Sequence, residues 1–465
     1  MSAHPFAIHE RGDAEYERLR LAPSRSVDWN ARTVDRYPDA IVVARSIEDV
    51  QAAVRLARER GLKVKARSGG HSWADSSVRD GILVDLSHLD ELRVDPETRT
   101  AVAGPGIKSQ ELNPQLAPYG LYFPNGGCED VGLGGFVLQG GFGFNGGQVG
   151  MACESVTALD IVTAEGELIH ADETEHADWF WAARGSGAGF FGIVVRFHLR
   201  LHPVPPTSLG RVMTYELQHF DAVARWQLGE MQQRIPTGMQ LVAFIMPKYQ
   251  ETTPGATQPV IQVIASYVSD DADDAPAREA LALLDTCPVV EHALTDSGVF
   301  VNDPNTSHEI TSLVYPLGGL TFVADNIWID ADPEAFVGEL DAIVHGFPTR
   351  RSHMLIAPHR DWHLRRPETM SFSMLAKTYI AIYAVKDLDD DIEETALVDW
   401  TTRSMRSLEH VGKGMQLADE NLIARRFDFM SRENFARLER LRAEHDPEGR
   451  FHGYLWAPGP TDAMA

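Results

Sequence analysis

Two glycine-rich segments, one with a histidine and one with a cysteine, hold the residues of this 465-residue chain best suited to chemistry. The first, 67–72, reads Arg-Ser-Gly-Gly-His-Ser, and the second spans 126–143. Glycine lets backbone N–H groups approach a phosphate or a flat ring closely, because no side chain blocks the contact. His71 and Cys128 add two nucleophilic side chains. The pattern indicates a bound cofactor that the chain can also hold covalently.

The elements that must position the first segment follow an α/β pattern. The apolar run 40–43 predicts a strand, and Ser46 is a suitable N-cap for a helix that ends at Gly61. Residues 63–67 and 82–86 predict two further strands. The first glycine segment is therefore expected in a loop between two strands.

The pattern changes at a cluster of prolines. Before it, residues 156–163 and 168–171 predict a hairpin, 176–184 a helix and 192–201 a long strand. The prolines within 203–206 interrupt this pattern, so we expect a domain boundary there.

The stretch from about 207 to 410 predicts a different architecture. A helix is expected at 274–284, and strand-like runs occur at 241–246, 260–268, 325–329 and 374–385. An antiparallel sheet with helices on one face accounts for this alternation. Nearer the C-terminus, residues 431–445 predict an amphipathic helix with Ser431 as its N-cap.

The composition limits the partners. A formal net charge of −25 argues against nucleic acid or an anionic membrane, so a small molecule is the expected partner. The first ten residues lack the apolar core of a signal peptide, and no run is long enough to span a bilayer. Three cysteines cannot all pair, which favours a reducing cytoplasm. Spacings such as C-x-x-C and H-E-x-x-H are absent, so we expect no metal site.

The glycines alone do not define a Rossmann dinucleotide site. That site needs a strand directly before the glycines and an acidic residue about 20 positions later. Asp160 lies at roughly that distance from Gly140, but Glu129 and Asp130 precede the glycines in place of a strand. We therefore assign no NAD site.

Several motifs, in order along the chain, match a known family more closely. The chain resembles the FAD-linked oxidases of the vanillyl-alcohol oxidase type, also called the PCMH type, and among them the berberine-bridge-enzyme-like branch. The matching segments are 67–71, 127–135, 140–143, 160–164, 178–187, 192–194 and 446–447. The resemblance is strong over about 30–205 and 430–455 and faint between these ranges.

This resemblance implies an α+β fold of two domains, a PCMH-type FAD-binding fold with an antiparallel-sheet substrate domain. Residues 1–206 would begin the FAD-binding domain, 207–410 would form the substrate domain, and 411–465 would return to the first. The implied enzyme is an oxidase that transfers hydride to FAD from a C–H next to O or N. The substrate would be a small alcohol, sugar, amine or natural product, and O₂ would reoxidise the flavin to give H₂O₂.

The resemblance also implies roles for residues at the cofactor. His71 would be bonded to the flavin 8α-methyl carbon and Cys128 to C6 of the ring. By residue type alone, His71 can equally be a loop histidine that binds phosphate, and Cys128 a small buried apolar residue. The residues expected to donate to the pyrophosphate are Ser68, Gly69, Gly70 and Ser72. The other residues expected along the cofactor are Arg67, Gly127, Val131, Gly132, Gly134, Gly135, Gly140, Gly141, Gly143, Ile193, Val194 and Tyr454.

Val131 bears on the electron acceptor. In the family, a small residue at this position leaves room for O₂ beside the flavin, so Val131 favours an oxidase. A valine that only packs against its neighbours would favour neither acceptor. Two alternatives stay open: a dehydrogenase of the same fold with another acceptor, and a non-catalytic flavin-binding protein.

The substrate side departs from the family's pattern. The family's Tyr-x-Asn-Tyr-x-Asp run corresponds to 414–419, where Gln416 replaces the asparagine and both tyrosines are missing. Tyr379 and Tyr383 lie four apart on a predicted strand and so share one face. The candidates for the catalytic base are Tyr379, Tyr383 and Gln416, with His359 and His363 as rivals. The sequence leaves the base, the substrate and the oligomeric state open.

Overall fold

The computed structural model describes residues 6–21, 36–143, 145–246, 259–302, 319–360 and 369–456. Within these ranges the chain forms sheets of four, five and nine strands, with helices packed against them. No helix in the described ranges is long and apolar enough to cross a membrane.

The four-stranded sheet carries the first glycine segment. Its strands, in the spatial order β1-β2-β4-β3, are β1 (Ala7–Glu10), β2 (Ala40–Val43), β4 (Ile82–Asp85) and β3 (Val64–Arg67). After α1 (Tyr16–Leu21), the helix α2 (Ile47–Arg60) connects the parallel strands β2 and β3. Ser46 accepts from the Asp49 N–H, and Gly61 ends α2 with φ 67°. The predicted start of the fold is confirmed.

The five-stranded sheet is antiparallel and follows directly. Its strands, in the spatial order β5-β6-β10-β8-β9, are β5 (Leu92–Asp95), β6 (Thr100–Ala103), β10 (Ile193–Arg200), β8 (Val156–Val162) and β9 (Leu168–Ala171). A short pair joins β7 (Leu121–Tyr122) to β11 (His202–Pro203). The helices of this region are α3 (Ser109–Leu116), α4 (Leu133–Leu138), α5 (Gly146–Val149) and α6 (Ala177–Ala183). The predicted hairpin, helix and long strand are confirmed.

The nine-stranded sheet draws its strands from residues 207–414. They are β12 (Thr207–Glu216), β13 (Met239–Met246), β14 (Val260–Ser269), β15 (Thr295–Asp296), β16 (Phe300–Val301), β17 (Leu320–Ile329), β18 (His353–Pro358), β19 (Thr378–Asp387) and β20 (Gly412–Gly414). The spatial order is β15-β12-β14-β13-β18-β19-β17-β20, and β16 also pairs with β12. Every neighbouring pair is antiparallel, as the sequence predicts.

Helices cover one face of this sheet, and the other face turns toward the glycine segments. The helices are α7 (Phe220–Arg225), α8 (Gln232–Arg234), α9 (Ala275–Ala282), α10 (Val337–His345) and α11 (Glu394–Ser407). On β19, Ile380 and Ile382 pack into the core under the helices, whereas Ala381 and Tyr383 join Trp73 on the opposite face. Because side chains alternate between the two faces of a strand, every second residue of β19 faces the first glycine segment.

The predicted strand at 374–385 begins later than expected. The strand β19 starts at Thr378, and Met374, Leu375 and Ala376 pack into the core of the five-stranded sheet instead. The expectation was wrong at this end because an apolar run does not distinguish a strand from a buried loop.

The C-terminal part returns to the four-stranded sheet. Helix α12 (Arg432–His445) begins at the predicted N-cap, where the Ser431 side chain accepts from the Asn434 N–H. Phe451 then bridges to Val64 of β3, and the His452 N–H donates to the Val64 carbonyl at 3.0 Å. Residues 451–452 therefore lie beside β3 of the four-stranded sheet, although they are far from it in sequence.

Candidate functional site

The two glycine segments lie in direct contact. A Cβ atom added to Gly69 would lie 2.3 Å from the Gly132 nitrogen, and one added to Gly132 would lie 2.4 Å from the Gly69 nitrogen. The Ser68 Oγ also accepts from the Gly135 N–H at 3.2 Å. Gly70 has φ +67°, which turns successive N–H groups into a concave anion-binding arrangement. The two backbones approach so closely that positions 69 and 132 must both be glycine.

A cavity of about 460 Å³, here called the glycine cavity, opens along these segments. His71 and Cys128 both line it. So do most of the residues expected along the cofactor, namely Ser68, Gly69, Gly70, Ser72, Gly127, Val131, Gly132, Gly134, Gly135, Ile193 and Val194. The structure brings together residues that are more than 100 positions apart.

The two nucleophiles lie in a partly apolar setting. The His71 Nε2 atom is 3.6 Å from Asp130 Oδ1, and the imidazole contacts the Trp73 ring at a centroid distance of 5.2 Å. Cys128 is half-buried and packs against the apolar cluster that includes Trp73 and Phe322. Both side chains can therefore reach a planar group held in the same cavity.

Two basic residues on β3 have different roles. Lys65 lines the glycine cavity and donates to the carbonyls of Ala188 at 2.6 Å and His452 at 3.2 Å. Burial lowers the pKa of Lys65 to about 7. Arg67 also lines the glycine cavity, while its guanidinium pairs with Asp85 at 2.7 Å and so stabilises the neighbouring strand.

A second cavity of about 520 Å³, here called the aromatic cavity, adjoins the first. Gly127, Phe142 and Asp419 line both. Three ring contacts form its aromatic wall: Phe142 to Trp328 at 5.4 Å, Trp328 to Tyr379 at 4.9 Å, and Phe142 to Tyr379 at 6.2 Å between centroids. Flat, mostly apolar walls beside a few polar groups are typical of a substrate site.

Asp419 lies where the two cavities meet and collects hydrogen bonds from three aromatic side chains. The Tyr379 hydroxyl donates to Asp419 Oδ2 at 2.6 Å, and the Trp73 Nε1–H donates to Oδ1 at 2.7 Å. Tyr383 is a further hydrogen-bond partner of the same carboxyl. Burial raises the pKa of Asp419 despite these bonds.

A buried network beneath this carboxyl holds its backbone in place. The Asn326 side-chain amide donates to the carbonyls of Gln416 and Asp419, both at 2.8 Å. Arg425 forms an almost fully buried ion pair with Asp325 at 2.5 Å and donates to the Asn326 carbonyl at 2.6 Å. Hydrogen bonds from Asn326 therefore anchor the segment 416–419 to β17.

The candidates for the base separate into two groups. Tyr379 and Tyr383 share the expected face of β19, and both reach Asp419. The Gln416 side chain accepts from the Ala418 N–H and so caps its own turn, which argues against Gln416 as a base. His359 lines the aromatic cavity, where burial lowers its pKa to about 3. His363 lies outside the described residues.

Some residues expected at the cofactor lie elsewhere. Gly141 and Gly143 line the aromatic cavity. Gly140 lines neither cavity; an added Cβ would lie 2.7 Å from the Phe372 ring, so this glycine serves packing. Tyr454 is also away from both cavities, because its hydroxyl donates to the Ser186 carbonyl at 2.7 Å. His452 lines the glycine cavity in its place.

Sequence reasoning missed three residues of the site. Asp419 belonged to the run at 414–419, but the loss of both tyrosines from that run drew attention to Gln416. Trp73 follows the first glycine segment by two residues and carried no motif of its own. Lys65 stands on β3 outside any motif, and only the structure shows that it lines the glycine cavity.

The donors of the glycine cavity fit FAD. Glycine and serine N–H groups and the Lys65 side chain suit a pyrophosphate, and the apolar wall at Ile193 and Val194 suits flat rings. Fold and site together indicate an FAD-binding protein. A family model described as an FAD binding domain matches residues 38–172.

Comparison with known proteins agrees. The FAD-linked oxidoreductase penO of Penicillium crustosum is 30% identical over 443 residues, 94% of this chain and 94% of its own. The chain therefore belongs to the FAD-linked oxidoreductases and is an enzyme.

Solved structures confirm the fold class. The 6-hydroxy-D-nicotine oxidase from Arthrobacter nicotinovorans superimposes with a TM-score of 0.82 at 20% identity, covering 97% of each chain. The BBE-like 1 protein of Physcomitrella patens gives 0.78 at 20% identity, covering 98% of this chain and 97% of its own. The expected α+β fold with an antiparallel sheet is confirmed.

Proposed function

We propose that this FAD-linked oxidoreductase is an oxidase that removes hydride from a C–H next to O or N. Its substrate would be a small alcohol, sugar, amine or natural product bound in the aromatic cavity. Bound FAD would accept the hydride and pass the electrons to O₂, giving H₂O₂. The hydrogen bond between Tyr379 and Asp419 carries this proposal, because it stands at the junction of the two cavities.

Removal of a hydride from an alcohol or amine requires a group that takes the remaining proton. In our proposal Asp419 accepts the Tyr379 hydroxyl proton, and the Tyr379 oxygen takes the proton from the substrate. Burial raises the pKa of Asp419, which makes its carboxylate a stronger base than an exposed aspartate. The donor Trp73 keeps that carboxylate oriented toward Tyr379.

We further propose that His71 and Cys128 hold FAD by covalent bonds to the 8α-methyl carbon and to C6. Both side chains line the glycine cavity and contact the same Trp73-centred cluster, which supports attachment at neighbouring positions of one ring system. Two bonds would fix the ring beside the aromatic cavity.

Val131 supports O₂ as the acceptor. It lines the glycine cavity between the cysteine and the glycines, and it packs against Gly126, where an added Cβ would lie 2.9 Å from Val131 Cγ1. We expect Val131→Leu to slow reoxidation by O₂ by about tenfold or more, since one methylene in a close pocket has effects of that size. Flavin reduction by substrate should change less.

The test is a two-step reaction of the purified protein. Alcohols, amines and sugars are mixed with it anaerobically while the flavin absorbance is followed, and O₂ is then admitted with an assay for H₂O₂. Bleaching followed by rapid recovery and stoichiometric peroxide supports an oxidase. Bleaching that recovers only with a quinone or dye identifies a dehydrogenase, and no bleaching with any donor contradicts the proposed chemistry.

A further inference from the structure

A cluster of metal-binding side chains lies on the five-stranded sheet, apart from both cavities. Asp160 on β8, His170 on β9 and His198 on β10 come from three adjacent strands. Each offers one ligand atom, and these atoms lie within 4.8 Å of one another. The spacing in sequence gives no sign of this cluster, because sheet pairing alone brings the three residues together.

The distances suit a small divalent ion. The Asp160 Oδ1 atom is 2.8 Å from His170 Nδ1 and 3.3 Å from His198 Nε2. Zinc bonds of about 2.0–2.1 Å at tetrahedral angles place neighbouring ligand atoms about 3.3 Å apart. The His170 side chain is 42% exposed, so its ring can rotate by the small amount needed.

We propose that Asp160, His170 and His198 bind a divalent transition metal ion, with zinc as the best match, and leave a fourth position open to water. Two imidazoles and one carboxylate are a ligand set that zinc prefers. The expectation of no metal site rested on local spacings and did not test residues from three strands.

Some neighbouring groups favour binding of the ion, and one opposes it. The Asp160 carboxylate faces both imidazoles and already lies at ligand spacing from them. The Arg196 guanidinium lies 3.3 Å from Asp160 Oδ2 and competes with a cation for the same charge. Binding should therefore strengthen when Arg196 is neutralised.

The proposed ion would join three strands. Strand β10 also carries Ile193 and Val194, which line the glycine cavity at its other end. Zinc would therefore raise the thermal stability of the sheet without entering the reaction, since a ligand that binds only the folded state stabilises it.

The test is zinc titration of the full flavoprotein without an affinity tag, by calorimetry and by thermal unfolding. We expect one equivalent to bind, an affinity at least ~10-fold lower in His170→Ala and in His198→Gln, and a tighter site in Arg196→Gln. The control is His88→Ala, which removes an exposed histidine outside the cluster. Failure of the wild type to bind, or equal binding by all variants, would overturn the proposal.

Discussion

The glycine cavity and the aromatic cavity meet at Asp419, yet they are built by different means. The glycine cavity is made by backbone: Gly69 and Gly132 touch because neither has a side chain. The aromatic cavity is made by side chains of β17 and β19 and by a carboxyl anchored to β17 through Asn326. A cofactor site needs close approach of main chain, whereas a substrate site needs particular side chains. The two halves should therefore respond differently to mutation.

The charges of the two sides also differ. Lys65 lines the glycine cavity, and burial lowers its pKa to about 7. On the other side, burial raises the pKa of Asp419. Both shifts favour the neutral form of the group, so Lys65 would gain its charge beside a bound phosphate, and the Asp419 carboxylate would take up a proton readily.

The largest effect is expected on the cofactor side, from removal of both nucleophiles. His71→Ala and Cys128→Ala should each retain FAD after acid precipitation, because the other bond remains. The double variant should release all of it. Intact mass with an absorbance spectrum measures this directly. Release of flavin from the wild type would contradict covalent attachment and leave both residues as ordinary lining residues.

On the substrate side, Asp419→Asn should lower kcat by about 10²–10⁴-fold, because the amide cannot accept the Tyr379 proton. Tyr379→Phe should give a similar loss in stopped-flow flavin reduction, with FAD content unchanged. Tyr383→Phe is the comparison variant: it removes the other tyrosine hydrogen bond to Asp419, its ring can still pack against His353, and we expect a smaller loss. Equal losses in the Tyr379→Phe and Tyr383→Phe variants would contradict the assignment of the proton transfer to Tyr379.

A buried carboxyl of the same segment predicts a pH effect on stability. Burial raises the pKa of Glu420 to about 7, so the folded protein holds a proton that the unfolded chain releases above its ordinary value of 4.5. The contribution of Glu420 to the free energy of unfolding is therefore fully present below pH 4.5. It is lost as the pH rises through about 7, by up to about 3 kcal/mol.

Glu420→Gln should therefore unfold at a higher temperature than the wild type at pH 8 and at the same temperature at pH 4.5. Thermal unfolding at the two pH values measures the difference. The surface control is Glu59→Gln, on an exposed position of α2. A difference that does not depend on pH would assign the effect to packing instead of the proton.

The smallest effect is expected when one methyl group is added between the two glycine segments. Gly132 has φ −77°, which suits alanine, so Gly132→Ala tests space alone. The added Cβ would lie 2.4 Å from the Gly69 nitrogen and should destabilise the fold by about 1–3 kcal/mol, with weaker FAD retention. Gly135→Ala is the control, since its Cβ would approach only Ser68 Oγ, at 4.0 Å. Equal melting temperatures would show that the segments can separate.

The elements at 40–86 and 156–201 were predictable because their signals are local. The capping pair at Ser46 and Asp49 and the left-handed Gly61 define one helix within 16 residues. The hairpin at Val156–Val162 and Leu168–Ala171 is equally local. The start of β19 was not predictable, because only packing against the other core shows that Met374 belongs to a loop.

The glycine segments indicated a bound cofactor from sequence alone, because glycine acts through backbone geometry, and FAD followed from the family resemblance. The contacts around Asp419 were not predictable. Asp419 receives Trp73 from 346 positions away and Tyr379 from 40 positions away, and no spacing in one chain predicts such a meeting. The three-strand cluster at Asp160 is of the same kind. Sequence determined where the main chain lacks side chains and can approach a ligand closely, and tertiary structure decided which side chains form hydrogen bonds to Asp419, because those contacts depend on sheet order and register.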